Sequence, residues 1–315
     1  MANTRLLICL ITVLGCSTFH ENNGTEQNKK QTKPKIAFTF DDGSVNDMGN
    51  FKLETWNQLL LDHLKKHHLK AVLFSAGYNK TTEKGNYVLS SWNNAGHLIA
   101  NHTFSHPNFN SKNISLEDFE LELIKNDSII NKYSNYYHYF RFPYLKEGNT
   151  VEKVQGFRAF LKQKGYKNGH VTIDASDWYV DSRLVKRLKD DPKADISGYR
   201  NYYLKHLLNR ALYYDSLSVQ LTNREINHVI LLHHNLAAAL FLDDLIQYFE
   251  ANGWEVMDAD KAFKDEIYQE APENIPAGES LIWALAKQSG KFENRLRYPA
   301  EDGDYEKPFM DKLGL

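Results

Sequence analysis

Five short clusters of polar residues in this chain are typed and spaced for hydrolytic chemistry. In Thr39-Phe40-Asp41-Asp42-Gly43, two adjacent carboxylates repel one another, so keeping both requires a cation or a hydrogen-bond donor nearby. Successive side chains diverge, which lets one carboxylate bind a metal while the other faces a substrate as a base. A plain Asp-Asp-Gly surface turn is the bland alternative. His102-Thr103-Phe104-Ser105-His106-Pro107 carries two imidazoles at i and i+4, which share a face on one helical turn. With Asp42 they make three protein ligands, the number a catalytic zinc site uses while keeping a position open for water. His63 and His67 repeat the spacing and read as solvated positions on a helix. Arg141-Phe142-Pro143-Tyr144 offers a guanidinium that can keep a carboxylate ionised and fixed in orientation. Its proline-set turn can present the following backbone N–H to a developing oxyanion. Asp174-Ala175-Ser176-Asp177-Trp178 and Ile230-Leu231-Leu232-His233-His234 add a carboxylate and a strand-end histidine. A histidine so placed can act as an acid whose proton a carboxylate partner retains, and Trp178 can wall an apolar slot. Each cluster alone has an ordinary structural explanation; together they supply the parts of a metal-assisted hydrolase.

Such groups must be brought together by elements that end in one place. Lys35–Phe40 alternates Ile36, Phe38 and Phe40, a strand pattern that stops at the first carboxylates. Further strands are predicted at Ala71–Ser75, Tyr137–Phe142, Gly169–Ile173, His228–Leu232 and Trp254–Met257. Helical spacing predicts helices at Leu53–His67, Ser115–Tyr133, Val151–Lys164, Leu204–Leu217 and Leu236–Glu250. Alternation of this kind predicts an α/β protein with parallel strands. Most of the polar clusters follow strands, and the C-terminal strand ends of a β/α barrel carry its chemistry, so a barrel is favoured over an open sheet.

The 315 residues suffice for one large or two ordinary domains with a sizeable core. Lys and Arg number 38 against 40 Asp and Glu, giving a net charge of −2, and 42% of residues are apolar. That balance excludes a disordered chain and announces no basic face for nucleic acid. The only cysteines, Cys9 and Cys16, precede the first predicted strand, so the body is neither a disulfide scaffold nor a Cys-ligated zinc module. Any metal must be held by His, Asp and Glu. Arg5 followed by the apolar run Leu6–Gly15 reads as a secretory signal; the run is about half the ~20 residues of a spanning helix. Val13-Leu14-Gly15-Cys16 resembles a bacterial lipobox, with an ordinary cleaved signal and an incidental cysteine as the alternative. Ser17–Lys33 is polar and aperiodic and reads as a flexible tether.

In chain order, TFDDG at Thr39–Gly43, HxxxH at His102–His106, RxPY at Arg141–Tyr144, DxxDW at Asp174–Trp178 and LxH at Leu231–His233 resemble the five motifs of the polysaccharide deacetylase family. This is carbohydrate esterase family 4, the NodB homology domain, and the likeness runs from Lys35 to Phe263. The resemblance implies a distorted (β/α) barrel and one divalent metal ion, zinc with cobalt or nickel as alternatives, held by Asp42, His102 and His106. It implies that Asp41 is the base that activates the water on the metal and that Arg141 orients Asp41. The Tyr144 backbone N–H would share the oxyanion with the metal, and His233 would protonate the departing amine or alcohol. Asp177 would set the His233 pKa, and Trp178 would line the acetyl pocket. The expected substrate is an acetylated glycan or oligosaccharide, N-acetyl before O-acetyl. The expected organisation is a lipoprotein-type signal peptide at 1–16, a tether at 17–34, the catalytic domain at 35–263 and a C-terminal extension packing on the barrel at 264–315. The protein would be exported to the bacterial envelope and touch the membrane only through its lipid anchor.

The chain departs from the family pattern in three places. His234 stands where the family often has an acidic residue. The stretch Tyr179–Asn227, rich in Tyr and in Arg and Lys, reads either as part of a substrate wall or as an amphipathic helix with a Tyr-lined core face. The segment after Phe263 lies outside the motifs and would cap the barrel or shape the cleft. Two other functions compete. A non-catalytic glycan-binding protein on the same fold would lack a base or a ligand, yet Asp41, Asp42, His102, His106 and His233 are all present. A non-haem iron oxygenase also uses two His and one carboxylate, but leaves Asp41 and His233 unexplained.

Overall fold

The computed structural model describes residues 33–297 and 303–315. The expected signal peptide with Cys16, and all but the end of the expected tether, fall outside the described residues. In chain order the elements are β1 (Lys35–Asp42), α1 (Leu53–Lys66), β2 (Val72–Ser75), α2 (Glu83–Asn94), β3 (Leu98–Asn101), α3 (Leu116–Ile130) and β4 (Tyr136–Phe140). Then come β5 (Lys146–Gly148), α4 (Val151–Gln163), β6 (Lys167–Asn168), α5 (Asp177–Asp190), α6 (Ser197–Thr222), β7 (Asn227–His233) and α7 (Leu236–Ala251). The chain ends with β8 (Glu255–Val256), α8 (Ala259–Ala262), β9 (Ala277–Gly278), α9 (Leu281–Ser289) and α10 (Gly303–Lys312).

The main sheet is parallel throughout, in the order β6-β4-β3-β2-β1-β7, with β8 pairing beside β1. Both faces of β1 are buried, so its alternate residues enter two different cores. Ile36, Phe38 and Phe40 pack outward against helices, with Phe38 on Phe249 of α7 and Phe40 on Trp92 of α2. Ala37 joins Val72, Phe74, Ala100, Val229 and Leu231 on the other face, which fills the inside of the curl. A third cluster stacks Phe109, Phe119, Phe140, Phe142 and Phe157 between α3, α4 and the end of β4.

The predicted strand Gly169–Ile173 is instead a seam. Gly169 N–H donates to Phe140 O of β4 at 2.6 Å; four residues on, Ile173 N–H donates to Val229 O of β7 at 3.1 Å. Leu231 N–H answers to Ile173 O at 3.1 Å, and Ile173 bridges Ile230. The segment thus runs on from the edge strand β6, beside β4, to β7 at the opposite edge and closes the curled sheet into a distorted barrel.

Other elements also differ from the expectations. The helix predicted at Leu204–Leu217 extends over α6, and Tyr199, Tyr203 and Tyr214 are buried in the helical layer. Its Tyr-lined face is therefore core, and none of α6 lines the cavity described below. His63 and His67 are not solvated: the His67 ring lies 2.6 Å from Asp243 of α7, and His63 Nε2 is buried. The helices α2 and α5 were not anticipated; α2 starts at a Thr82 cap and buries Val88, Leu89 and Trp92.

Candidate active site

At the end of β1, Asp41 is buried and Asp42 turns the chain with a left-handed backbone (φ 74), followed by Gly43 (φ 68). His102 follows β3, and the two histidines come together through a loop, not the helical turn that their spacing suggests. Thr103 (φ 64) and His106 (φ 60) take left-handed conformations, which asparagine-type side-chain bonding holds: Thr103 N–H donates to Asn101 Oδ1 at 3.0 Å. His106 N–H then donates to Thr103 Oγ1 at 3.1 Å, leaving the two rings 4.9 Å apart.

The His102 Nδ1 lies 2.8 Å from Arg141 O, which fixes that nitrogen as donor and leaves Nε2 as the ligand atom. His102 Nε2 stands 3.7 Å from Asp42 Oδ1, and His106 Nε2 stands 3.3 Å from the same oxygen. One donor atom from each of the three residues lies within 4.8 Å of the others. Burial holds both imidazoles down at a pKa of about 4, in their lone-pair form. Asp42 Oδ1 is buried without a hydrogen-bond partner, a costly arrangement unless a cation faces it. The residues therefore fit a divalent ion.

Asp41 sits beside this triad, its Oδ2 3.7 Å from His102 Nε2. Arg141 holds its Oδ1 at 2.5 Å. The guanidinium is itself gripped on three sides: it donates to Thr39 Oγ1 at 2.9 Å and to Gly169 O at 2.8 Å, and lies 3.9 Å over the Phe74 ring. Burial pushes the Asp41 carboxyl above its ordinary range, against the opposing charges of Arg141 and His233. The result is a carboxylate of raised proton affinity, fixed in place.

Across the cavity β7 delivers His233. Its Nδ1 lies 2.6 Å from Asp177 Oδ1, and its backbone N–H donates to Asp177 Oδ2 at 2.8 Å. Burial pulls the imidazolium pKa down, but Asp177, Asp42 and Asp41 outweigh it and lift it to about 10. His234 points the other way, as strand alternation requires. It is buried against Trp56 and Trp92 with Nε2 2.9 Å from Asn57 Oδ1, and burial drops its pKa to about 3. Only His233 of the adjacent pair reaches the cavity.

The cavity holds about 640 Å³ and brings together Asp41, Asp42, His102, His106 and His233 with Tyr144 and Trp178 at its rim. Tyr144 occupies a one-turn 3₁₀ corner with φ 56 and lays its ring 4.6 Å from that of His106. Asp174 also lines the cavity; Arg141 and Asp177 lie behind it. Three lining or neighbouring residues were not singled out from the sequence. Lys146 lies on the wall two residues beyond RxPY. Lys80 is buried against Gly43, and burial lowers its pKa to about 8 against the pull of Asp42. It follows the C-terminal end of β2, the position at which barrel strands carry polar function, and that rule would have flagged it. Asp181, one turn beyond Asp177, accepts Ala237 N–H at 2.8 Å and so ties α5 to the start of α7.

Comparisons with known proteins find relatives over part of the chain. The family model described as polysaccharide deacetylase matches residues 28–167, a stretch with the first three motifs. The peptidoglycan-N-acetylglucosamine deacetylase of Bacillus cereus is 36% identical over 147 residues, 46% of this chain and 47% of that protein. The peptidoglycan-N-acetylmuramic acid deacetylase PdaA of Bacillus subtilis is 26% identical over 182 residues, 57% of this chain and 62% of that protein. The chain thus spans about half the length of the curated relatives it matches. Among solved structures, a peptidoglycan N-acetylglucosamine deacetylase (22% identity, 74% of this chain and 89% of that chain, TM-score 0.50) shares the fold. So does a family 4 pseudoenzyme from Bacillus anthracis (19% identity, 73% and 65%, TM-score 0.50). With its first three motifs inside the matched stretch and the last two delivered to the same cavity by α5 and β7, the chain is similar to the polysaccharide deacetylase family, the NodB-type carbohydrate esterases of family 4, over residues 28–167.

Proposed function

We propose that this protein is a metal-dependent hydrolase that removes acetyl groups from an acetylated saccharide, N-acetyl in preference to O-acetyl. One observation carries the reading: a vacant-handed carboxylate and two neutral imidazoles, an Arg-held carboxylate and an Asp-held histidine share one cavity. Asp42, His102 and His106 would hold the ion, zinc first and cobalt or nickel as alternatives. When bound, such an ion polarises a carbonyl and acidifies water. Asp41, fixed by Arg141, accepts the proton of the attacking water. The backbone N–H of Tyr144 faces the carbonyl oxygen as negative charge builds on it. His233, kept protonated by Asp177, gives its proton to the departing amine. Trp178 walls the slot for the acetyl methyl. The names of the relatives make peptidoglycan-type amino sugars the first substrates to try. The same reading places the catalytic part at 35–263, the extension at 264–315, and the protein in the bacterial envelope, anchored by lipid at Cys16.

The test is acetate release from a panel of N- and O-acetylated glycans. Chelation is expected to abolish release and zinc or cobalt to restore it. Asp42→Ala is expected to lose cation binding, and Asp41→Asn to lower kcat by roughly 10²–10⁴-fold. Release that survives Asp42→Ala contradicts the ligand assignment. Glycan binding without any acetate would instead make the chain a binding protein on this fold.

A further inference from the structure

The corner that carries Tyr144 is held from outside the five motifs. Tyr144 and Leu145 both have left-handed backbones (φ 56 and 54), uncommon for residues with side chains. Opposite them, Gly278 has φ +124 and Glu279 φ 70. These two strained corners meet directly. β5 pairs antiparallel with β9 through Lys146 and Gly278, and Glu279 N–H donates to Leu145 O at 2.9 Å. The Lys146 ammonium pairs with the Glu279 carboxylate. A Cβ on Gly278 would lie 1.9 Å from Leu145 O, so only glycine allows the approach. The same short segment is pinned to the barrel seam: Ser280 Oγ donates to Thr172 O at 2.9 Å, and Leu281 N–H to Val171 O at 2.8 Å. Non-glycine residues persist in left-handed backbone where their surroundings over-determine it, and such strain gathers at functional sites.

We propose that Ala277–Leu281 is a positioning strap that locks the Tyr144 corner in the geometry its N–H needs, acting on turnover and not on cation binding. The kinetic part of this proposal rests on the deacetylase reading; the backbone part does not. Both are tested in the full chain with Gly278→Ala, with Glu279→Gln as a milder variant, and with Gly290→Ala as control. Gly290 also has positive φ (+67), but nothing lies within 4 Å of the added Cβ.

Gly278→Ala is expected to speed amide hydrogen exchange across residues 144–148 and to lower kcat about tenfold or more. Cobalt affinity should stay within about twofold, because Asp42, His102 and His106 are positioned by β1, β3 and the Thr103 hydrogen bonds and not by the strap. Glu279→Gln should show the same pattern with smaller amplitude, and Gly290→Ala neither effect. The proposal is overturned if exchange at 144–148 matches that of Gly290→Ala. It is equally overturned if kcat falls only in step with cobalt affinity or melting temperature. A wild-type chain that releases no acetate defeats the deacetylase reading, and the exchange measurement still decides the strap.

Discussion

Asp177 makes three contacts within the site: the His233 ring, the His233 backbone N–H and the Asn235 side chain at 3.1 Å. With both oxygens used, it works as a fixed negative charge beside an imidazolium. Asp177→Asn keeps the shape but removes that charge, so the His233 pKa must fall. The alkaline limb of kcat/KM is therefore expected to move down by about one pH unit or more, read from a pH–rate profile. An unmoved limb would dissociate Asp177 from the acid. At this scale the sequence was most legible where residue type restricts role. Type and spacing made Asp42, His102 and His106 a possible ligand set, the family resemblance named them as the ligands, and their donor atoms do converge. The choice between His233 and His234 was harder, because alternation along a strand shows that neighbours diverge but not which one faces inward. Lys80 escaped notice because a lone lysine carries no motif.

The HxxxH loop depends on a helix that never touches the cavity. From α3, Asn126 donates to Ser75 O at 2.7 Å and to Asn101 Oδ1 at 3.0 Å, the same oxygen that anchors Thr103. Asn126→Ala strips a buried acceptor of a donor and is expected to cost about 1–3 kcal/mol, with weaker cobalt binding through the loosened loop. Ser115→Ala removes the Ser115–Asp118 capping box of the same helix. It is expected to cost about 1 kcal/mol with cobalt affinity unchanged. Urea denaturation and cobalt titration of both variants separate the two effects. Elements with long apolar periodicity, β1, β7, α1, α3, α4 and α7, were all visible in the sequence. The seam and the loop were not, since left-handed residues and single bridges are fixed by tertiary contacts that no local pattern records.

Across the whole molecule, histidine burial sets the pH response. Burial lowers His97 and His206 to about 4 and His234 to about 3, against 6.5 for a free side chain. Each is neutral in the fold, so its contribution is complete above pH 6.5 and drains away as pH falls toward 4. His233 works with the opposite sign: lifted to about 10 by Asp177 against its burial, it contributes fully below pH 6.5 and loses that contribution as pH climbs to about 10. The urea midpoint measured in chelator should consequently peak near neutrality and decline on both sides. A midpoint that rises steadily toward pH 4 or toward pH 10 would contradict these protonation states. The α/β barrel class was readable from strand–helix alternation, whereas its manner of closure was not: Gly169–Ile173 reads locally as an ordinary strand, and only tertiary contacts make it a seam that meets β4 and β7 in single bridges.

That closure has a consequence for how the molecule can fail. Gly169, at one end of the seam, offers its carbonyl to the very guanidinium that steadies Asp41. A breathing motion that parts the seam from β4 would slacken Arg141 and leave Asp41 adrift while every helix stayed packed. Loosening that single stitch would free Asp41 reversibly, well short of denaturation.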